Sequence, residues 1–308
     1  MVNRLKPQYV YVPKHNRMKE AASDRAFNGI VLGIAIFVFA VALYPLVFVV
    51  SASFSSPFDL MSGRVWLWPV NPNTEGYRVV FAFNRLWMGL RNSIFITVAG
   101  TTLNLFITVI AAYPLSRKDL KYKKPIMMMF VFTMLFSGGM IPNYLLVRDL
   151  GLINSHWALI FPTAMNMFNF MVTRTFFINN LPDELLESTK IDGCSDFRFM
   201  WSFAIPLSKA ILAVMVLYYG VAHWNAFFNA TIYITDRSLH PLQVVLREIL
   251  LLNQTEQMME GVSRTEAMLV AEQMKYSLIV ISSIPLLVVY PFVQKHFVKG
   301  VMIGSVKG

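Results

Sequence analysis

Polar side chains recur within the apolar segments of this chain, where they could bind a solute through hydrogen bonds. One group is spaced i, i+3 and i+7, which places it on a single face of a helix: Asn166, Asn169 and Thr173. A second group is adjacent in a later apolar segment: His223, Trp224 and Asn225. An aromatic ring beside amide groups suits a sugar, but such residues also form hydrogen bonds between helices, so both interpretations stay open.

Catalytic and metal-binding residue types are not grouped in this sequence. The 5 histidines are scattered, no H-E-x-x-H occurs, and the predicted membrane spans contain no Asp or Glu. The single cysteine, Cys194, excludes an intrachain disulfide and a multi-cysteine metal site. An intramembrane enzyme and an ion-driven secondary transporter are alternatives, but the first needs a nucleophile with a base or metal ligands, and the second needs paired carboxylates or broken helices.

The stretch 181–207 reads LPDELLESTKIDGCSDFRFMWSFAIPL and is predicted to contact another molecule in water. Pro182 suits the first turn of a helix, where Asp183 and Glu184 would lie at the positive end of the helix dipole. Asp192 and Gly193 follow, and glycine accepts the left-handed conformation that ends a helix. Residues 183–192 therefore predict one short surface helix.

A second short helix is predicted directly after the first. Ser195 can cap its N-terminus. Helical spacing puts three apolar side chains on one face: Phe197, Met200 and Trp201. Together the two helices would form a sharp turn lying along a membrane surface.

The composition is that of an integral membrane protein. Of the 308 residues 56% are hydrophobic and only 14% are charged, whereas soluble domains average about 25% charged residues. The net charge of +10 does not require nucleic acid as a partner, because lysine and arginine orient membrane spans through the positive-inside rule. We therefore expect an all-α fold in contact with membrane lipid, without nucleic-acid binding.

Six apolar segments are long enough to cross a bilayer, which takes about 20 residues each. They are 28–52, 89–115, 125–147, 156–178, 203–228 and 276–298. The predicted division is a cytoplasmic N-terminal tail 1–27, a transmembrane domain 28–298 and a cytoplasmic C-terminal tail 299–308. About two thirds of the 27 lysines and arginines fall in segments assigned to the cytoplasm, which predicts that both termini and the stretch 181–207 face it.

One motif within 181–207 resembles a known family. From Glu187 the chain reads E-S-T, three further residues, Gly193, nine further residues and F-A-I-P. This resembles the EAA loop of ABC importer permeases, which reads E-A-A, three residues, G, nine residues and I-x-L-P. Ser188 and Thr189 stand where the pattern has alanines, and the departures near its end keep their apolar character.

The resemblance implies the type I importer permease fold, with six transmembrane helices and a coupling helix that docks into a groove on a cytoplasmic ATPase. Glu187 would be its polar anchor and Gly193 its turn. The positions implied in ATPase coupling are Glu187, Ser188, Thr189, Asp192, Gly193 and Ser195. No G-x-x-x-x-G-K-[ST] phosphate loop occurs, so ATP and Mg²⁺ would belong to the ATPase and this chain would hold no cofactor.

Three further runs resemble the oligosaccharide branch of carbohydrate ABC importers, which includes aldouronate systems. They are F-S-G-G-M-I-P at 136–142, L-G-L-I-N-S at 150–155 and K-G-V-M-I-G-S-V-K-G at 299–308. The chain looks like the second permease of a maltose-type pair. The resemblance implies a bacterial cell-membrane heterodimer with a companion permease, an ATPase dimer, an extracytoplasmic solute-binding protein facing the outer loop 229–275, and an oligosaccharide substrate.

Overall fold

A computed structural model describes residues 22–252 and 264–305 of the chain, mostly as helices joined by short connections. The predicted N-terminal tail up to residue 21, part of the outer loop at 253–263 and the last three residues lie outside the described residues. The α-helices within the described residues are α1 Ala22–Phe54, α2 Pro57–Met61, α3 Glu75–Ala82, α4 Asn84–Ser116, α5 Lys123–Leu135, α6 Met140–Asp149, α7 Trp157–Ile160, α8 Met167–Asn180, α9 Asp183–Ile191, α10 Asp196–Phe199, α11 Ile205–Leu207, α12 Lys209–Trp224, α13 Phe228–Tyr233, α14 Leu242–Leu252 and α15 Arg264–Ser305.

Three of the described helices are long and apolar enough to cross a bilayer, namely α1, α4 and the part of α15 at Val270–Pro291. Two further pairs pass the same test only when combined across a bend. The pair α5 and α6 bends by 111°, and the segment ending at α11 bends by 81° against α12. The described residues thus contain three spans, or up to five if each bent pair counts as one, and the six-span count stays a prediction.

The predicted third, fourth and fifth spans are not single straight helices. The third breaks at 136–139, where Gly139 has a φ of +86° that a helix interior does not allow. The fourth divides into the one-turn helix α7 and the longer α8, with Pro162 in the gap. The fifth breaks at Ser208, after a π-helical turn at Met200–Ala204. Apolar composition alone therefore did not reveal the bends within these three segments.

Two units are distinguished within the chain, residues 1–48 and 49–308. In the first, helix α1 carries apolar side chains that are exposed over most of its length, including Phe37 and Phe39. Exposed apolar residues on a long helix are typical of a surface that faces lipid.

In the second unit, helix α4 packs against α8, α12 and α14. A buried hydrogen bond joins α4 to the start of α14, because the Leu242 N–H donates to the Ser93 hydroxyl oxygen at 2.8 Å. The Asn92 amide of α4 donates to the carbonyls of Ser238 at 2.8 Å and His240 at 3.1 Å. Helix α14 has one buried face, because its buried Leu242, Val245 and Ile249 lie at i, i+3 and i+7.

Candidate functional site

Helix α9 has one face packed in the core and one face free. Leu185 and Leu186 pack against an apolar cluster that contains Phe177 and Phe199, and Thr189 is buried. The opposite face exposes Glu187, Ser188 and Asp192, together with Ile191, whose side chain is 86% exposed. Helix α9 therefore presents an apolar side chain and a carboxylate on the same exposed face.

The ends of α9 follow from its sequence. Asp183 and Glu184 occupy the first turn as predicted, whereas Pro182 lies one residue earlier, in the N-cap position. At the other end Gly193 has a φ of +76°, which confirms the predicted left-handed glycine. The Gly193 N–H donates to the Lys190 carbonyl at 3.0 Å and the Cys194 N–H to the Thr189 carbonyl at 2.9 Å, which is the Schellman pattern.

Helix α10 begins at the residue that the sequence indicated. The Ser195 hydroxyl oxygen accepts a hydrogen bond from the Arg198 N–H at 3.3 Å, which confirms the predicted N-cap. The predicted apolar face is only partly correct. Phe197 and Trp201 are exposed with ring centroids 6.1 Å apart, but Met200 is buried in the apolar cluster that contains Phe199.

Ion pairs connect α9 and α10 to the loop that follows α4. Lys118 Nζ lies 2.6 Å from Asp183 Oδ2 at the start of α9. Asp119 accepts two hydrogen bonds from the Arg117 guanidinium and one from Lys190 Nζ at 3.2 Å. The bond from Arg117, followed by that from Lys190, holds the pKa of the Asp119 carboxyl well below its usual range.

The three polar residues predicted in the fourth span do not form one stripe on a helix. Asn166 lies before α8 as its N-cap, and its side-chain oxygen accepts from the Asn169 N–H at 3.1 Å. Asn169 and Thr173 are buried within α8, where the Thr173 hydroxyl donates to the Asn169 carbonyl at 2.8 Å. The prediction that the three residues share one helical face was wrong, because α8 begins one residue after Asn166.

The structure brings His223 together with a residue that the sequence did not single out. His223 Nε2 lies 3.1 Å from Asn104 Oδ1, while Asn104 Nδ2 donates to the Thr163 carbonyl at 2.7 Å. Because that arrangement makes Oδ1 the acceptor, His223 Nε2 carries the hydrogen. Asn104 could have been singled out from the sequence, because it is a polar residue within a predicted span. Its contact with His223 is a hydrogen bond between two helices, which was the alternative to sugar binding given above for His223.

Trp224 and Asn225 face different surroundings from His223. The Asn225 side chain is exposed and donates to the Val221 carbonyl of its own helix at 3.0 Å. Trp224 lines a largely apolar cavity of about 510 Å³ between α4, α12 and α15. Trp224 Nε1 and Thr101 Oγ1 are buried there without a hydrogen-bond partner among the described residues. They are therefore two polar groups that a bound solute could satisfy.

Two proteins of Bacillus subtilis are similar to this chain over most of its length. The polygalacturonan/rhamnogalacturonan transport system permease protein YtcP is 39% identical over 285 residues, which are 92% of this chain and 99% of that protein. Protein LplC is 42% identical over 269 residues, which are 87% of this chain and 90% of LplC. No family model matches the chain.

A solved structure has a similar fold. It is a chain from a bacterial ABC transporter involved in the import of the acidic polysaccharide alginate, and it superposes with a TM-score of 0.81 at 33% sequence identity. The match covers 90% of this chain and 99% of the other. Both the sequence and the fold therefore match ABC transporter permeases along nearly their whole length.

Proposed function

This chain belongs to the family of permease subunits of carbohydrate ABC importers, and on that premise we propose that α9 is the helix that its ATPase contacts. The observation that supports the proposal is that α9 has one face packed in the core and an opposite face exposed. Leu185 and Leu186 anchor it in the core, while Glu187 and Ile191 project outward. Ile191 would bury apolar area against the ATPase, and Glu187 would supply a polar anchor at the same face.

The partners follow from the same premise. A second permease forms the other half of the pathway, an ATPase dimer binds and hydrolyses ATP with Mg²⁺, and an extracytoplasmic binding protein delivers the solute. Both termini lie in the cytoplasm, with residues 1–27 and 299–308 as tails. The region 203–228, which includes α12, forms the fifth of six spans, and α9 and α10 lie between the fourth and the fifth.

The substrate that we propose is an acidic oligosaccharide. The YtcP name includes polygalacturonan, and the alginate transporter carries an acidic polysaccharide. Two arginines are exposed and form no ion pair with a carboxylate in the described part of the chain: Arg91, near the outer end of the predicted span 89–115, and Arg237, in the outer loop 229–275. These two guanidiniums could bind uronate carboxylates during entry, because arginine binds carboxylates through paired hydrogen bonds.

Ion-driven transport gains no support from these relatives. Among the described carboxylates only Asp59 is buried, and it lies in α2 rather than in a span. Its two oxygens already contact Arg64 at 3.3 Å and Asn71 at 2.8 Å. A carboxylate that is held in this way is a structural contact rather than a proton relay.

Affinity purification of the tagged chain from its native membrane tests the assignment of partners. We expect mass spectrometry to recover a second permease and an ATPase, and Glu187→Lys to lower the ATPase activity of the purified complex. Lys124→Gln is the control, because Lys124 is exposed and forms no ion pair within the described residues. Recovery of a single-chain species without ATPase activity would contradict the proposal.

The substrate class has a separate test. Proteoliposomes containing the complex and its binding protein are supplied with radiolabelled oligogalacturonate or with a neutral malto-oligosaccharide of equal length. ATP-dependent uptake of the acidic sugar, reduced by Arg91→Gln and Arg237→Gln, is expected. Uptake of the neutral sugar alone would show that the acidic assignment is wrong while leaving the importer assignment intact.

A further inference from the structure

Four charged residues on the cytoplasmic side form a closed ring in which the sign of the charge alternates. We call this group the charge ring: Arg117, Asp119, Lys190 and Asp196. Each residue contacts the two of opposite charge. Arg117 Nη1 lies 2.5 Å from Asp196 Oδ1, and Lys190 Nζ lies 3.2 Å from Asp119 and 3.8 Å from Asp196.

The members of the charge ring come from three separate elements. Arg117 is the C-cap of α4, and Asp119 follows it in the loop before α5. Lys190 is in the last turn of α9, and Asp196 is the first residue of α10. The ring therefore joins the end of α4 to both helices of the segment that we assign to ATPase coupling.

Arg117 is the member that is fixed most firmly. Its side chain is only 10% exposed, and it extends past the buried Tyr113 one turn back in α4. The guanidinium carbon lies 5.9 Å from the centre of the Tyr113 ring, and Nη1 lies 3.4 Å from its hydroxyl. This contact ties the ring to the body of α4 rather than to its loop alone.

Helix α4 continues from the charge ring to the polar contacts inside the second unit. Thr108 Oγ1 lies 2.7 Å from the Tyr219 hydroxyl of α12, and Asn104 contacts His223 on the same helix. The Tyr219 hydroxyl also accepts from the Asn166 N–H at 3.4 Å, just before α8. A movement of α4 would therefore reach α8 and α12 through specific hydrogen bonds.

Apolar packing alone does not fix the direction in which α9 moves relative to α4. The cluster beneath α9 is held by the hydrophobic effect, which is not directional. Ion pairs at both ends of α9 supply the direction, with Lys118 and Asp183 at its start and the charge ring at its end. These two sets of ion pairs, about two helical turns apart along α9, oppose rotation of α9 about the end of α4.

We propose that the charge ring is the connection through which movement of α9 reaches α4. Asp119 and Lys190 are then positioning residues, which act on transport through α4 rather than by contact with the sugar. The proposal rests on the proposed function of α9 as the ATPase-contacting helix. It predicts variants that hydrolyse ATP but move less sugar for each ATP.

The charge ring is expected to contribute little to folding stability, so its role in transport can be tested with variants that still fold. Asp119, Lys190 and Asp196 are each more than 40% exposed, and exposed ion pairs contribute little to folding. Neutral variants of these residues are therefore expected to insert and assemble. Their transport can then be compared with that of the wild-type complex at equal protein content.

The experiment is a double-mutant cycle in the complete reconstituted importer. Asp119→Asn, Lys190→Gln and the double variant are assayed in proteoliposomes for sugar uptake and ATP hydrolysis. We expect each single variant to lower the uptake per ATP at least about fivefold, which is the lower range for loss of coupling between two sites. The double variant is expected to be no worse than Lys190→Gln alone, because that substitution already removes both contacts of α9 with the charge ring.

Two matched variants complete the design. Lys190→Arg is expected to recover most of the uptake per ATP that Lys190→Gln loses, since a guanidinium can contact both carboxylates. Lys124→Gln removes a nearby exposed cytoplasmic charge outside the ring and is expected to leave the ratio unchanged.

Additive losses in the double variant would overturn the proposal, because Lys190 would then act separately from Asp119, for example by direct contact with the ATPase. An unchanged ratio in every variant would also overturn it. Glu187→Lys in the same proteoliposomes separates the two claims. If it loses activity while the ring variants do not, only the charge ring is wrong; if it transports at the wild-type rate, the role of α9 is wrong as well.

Discussion

Gly100 lies where α4 approaches α12 most closely. A Cβ atom added there would be 2.5 Å from His223 Nε2 and 2.6 Å from the next ring carbon. The absence of a side chain at this position lets the histidine reach Asn104 one turn further along α4. The hydrogen bond between the two helices therefore depends on a residue that takes no part in it.

Gly100→Ala is predicted to destabilise the protein by about 1–3 kcal/mol, the usual cost of adding atoms to a packed core. The measurement is thermal unfolding of the detergent-solubilised complex. Gly220→Ala is the control on the facing helix, because its Cβ would meet nothing closer than 3.7 Å. A melting temperature for Gly100→Ala at or above that of Gly220→Ala would show that the histidine can move aside without cost.

Gly193→Val is predicted to remove transport while leaving the chain in the membrane. A β-branched residue at a φ of +76° is strained by about 1–2 kcal/mol, although no atom lies within 4 Å of the new Cβ. Gly193→Asn should keep most of the activity, since asparagine tolerates this conformation. Uptake by reconstituted complexes is the measurement.

Gly151→Val is the matched control for this prediction. Gly151 has a φ of +68° and equally open space, but it lies in the turn after α6 rather than beside α9. Equal losses in the Gly193→Val and Gly151→Val variants would indicate that strained turns anywhere in the chain stop transport, and the special importance of Gly193 would be refuted.

The residues that begin and end α9 and α10 could be predicted from the local sequence, whereas contacts between residues distant in the sequence could not. Gly193 and Ser195 satisfy requirements of the backbone within a few residues, so their types and positions are visible in the sequence. The pairing of His223 with Asn104 spans 119 residues, and the charge ring joins residues up to 79 apart. Such pairs follow from how helices pack, which no local pattern specifies.

Helix α14 is held against the start of α4 by one strong ion pair. Arg85 Nη2 lies 2.6 Å from Glu248 Oε2, and both side chains are mostly buried. Loss of one partner would leave the other charge partly desolvated and unpaired, which is more costly than losing an exposed pair. This contact therefore sets how firmly the outer segment before residue 253 is held.

Glu248→Gln is predicted to speed hydrogen exchange of the amides of Leu242–Leu252 in the purified complex. The neutral side chain keeps its size but no longer balances the Arg85 charge. Glu75→Gln is the control, because its contact with Arg78 is exposed and 4.0 Å long. Exchange in α14 that is unaffected by Glu248→Gln would show that apolar packing of Leu242 and Val245 is sufficient to hold it.

The helical class and most segment positions could be predicted from apolar runs, but the bends could not. A run of about 20 apolar residues predicts a buried segment whether or not it is straight. The bend of 111° occurs at Gly138 and Gly139, which belong to the motif F-S-G-G-M-I-P within an apolar run that predicts a continuous span. The break at Ser208 follows a π-helical turn that depends on packing around Met200.

The chain as a whole belongs to a family of transport permease subunits. It carries no G-x-x-x-x-G-K-[ST] phosphate loop, and its relative YtcP is named a transport system permease protein. In the function proposed above, energy for transport enters through a contact with a separate ATPase. The exposed face of α9, with Glu187 and Ile191, is the surface that we assign to that contact.

Cross-linking from position 187 tests this assignment most directly. Cys194→Ser removes the single native thiol, and Glu187→Cys then allows a short thiol–amine reagent to react in the purified complex. Ser62→Cys is the control, because Ser62 lies between α2 and α3, in the connection after the first predicted span, which the predicted topology assigns to the opposite side of the membrane. We predict an adduct between this chain and the ATPase for Glu187→Cys and none for Ser62→Cys; a complex that contains the ATPase but gives no adduct from Glu187→Cys would contradict the account.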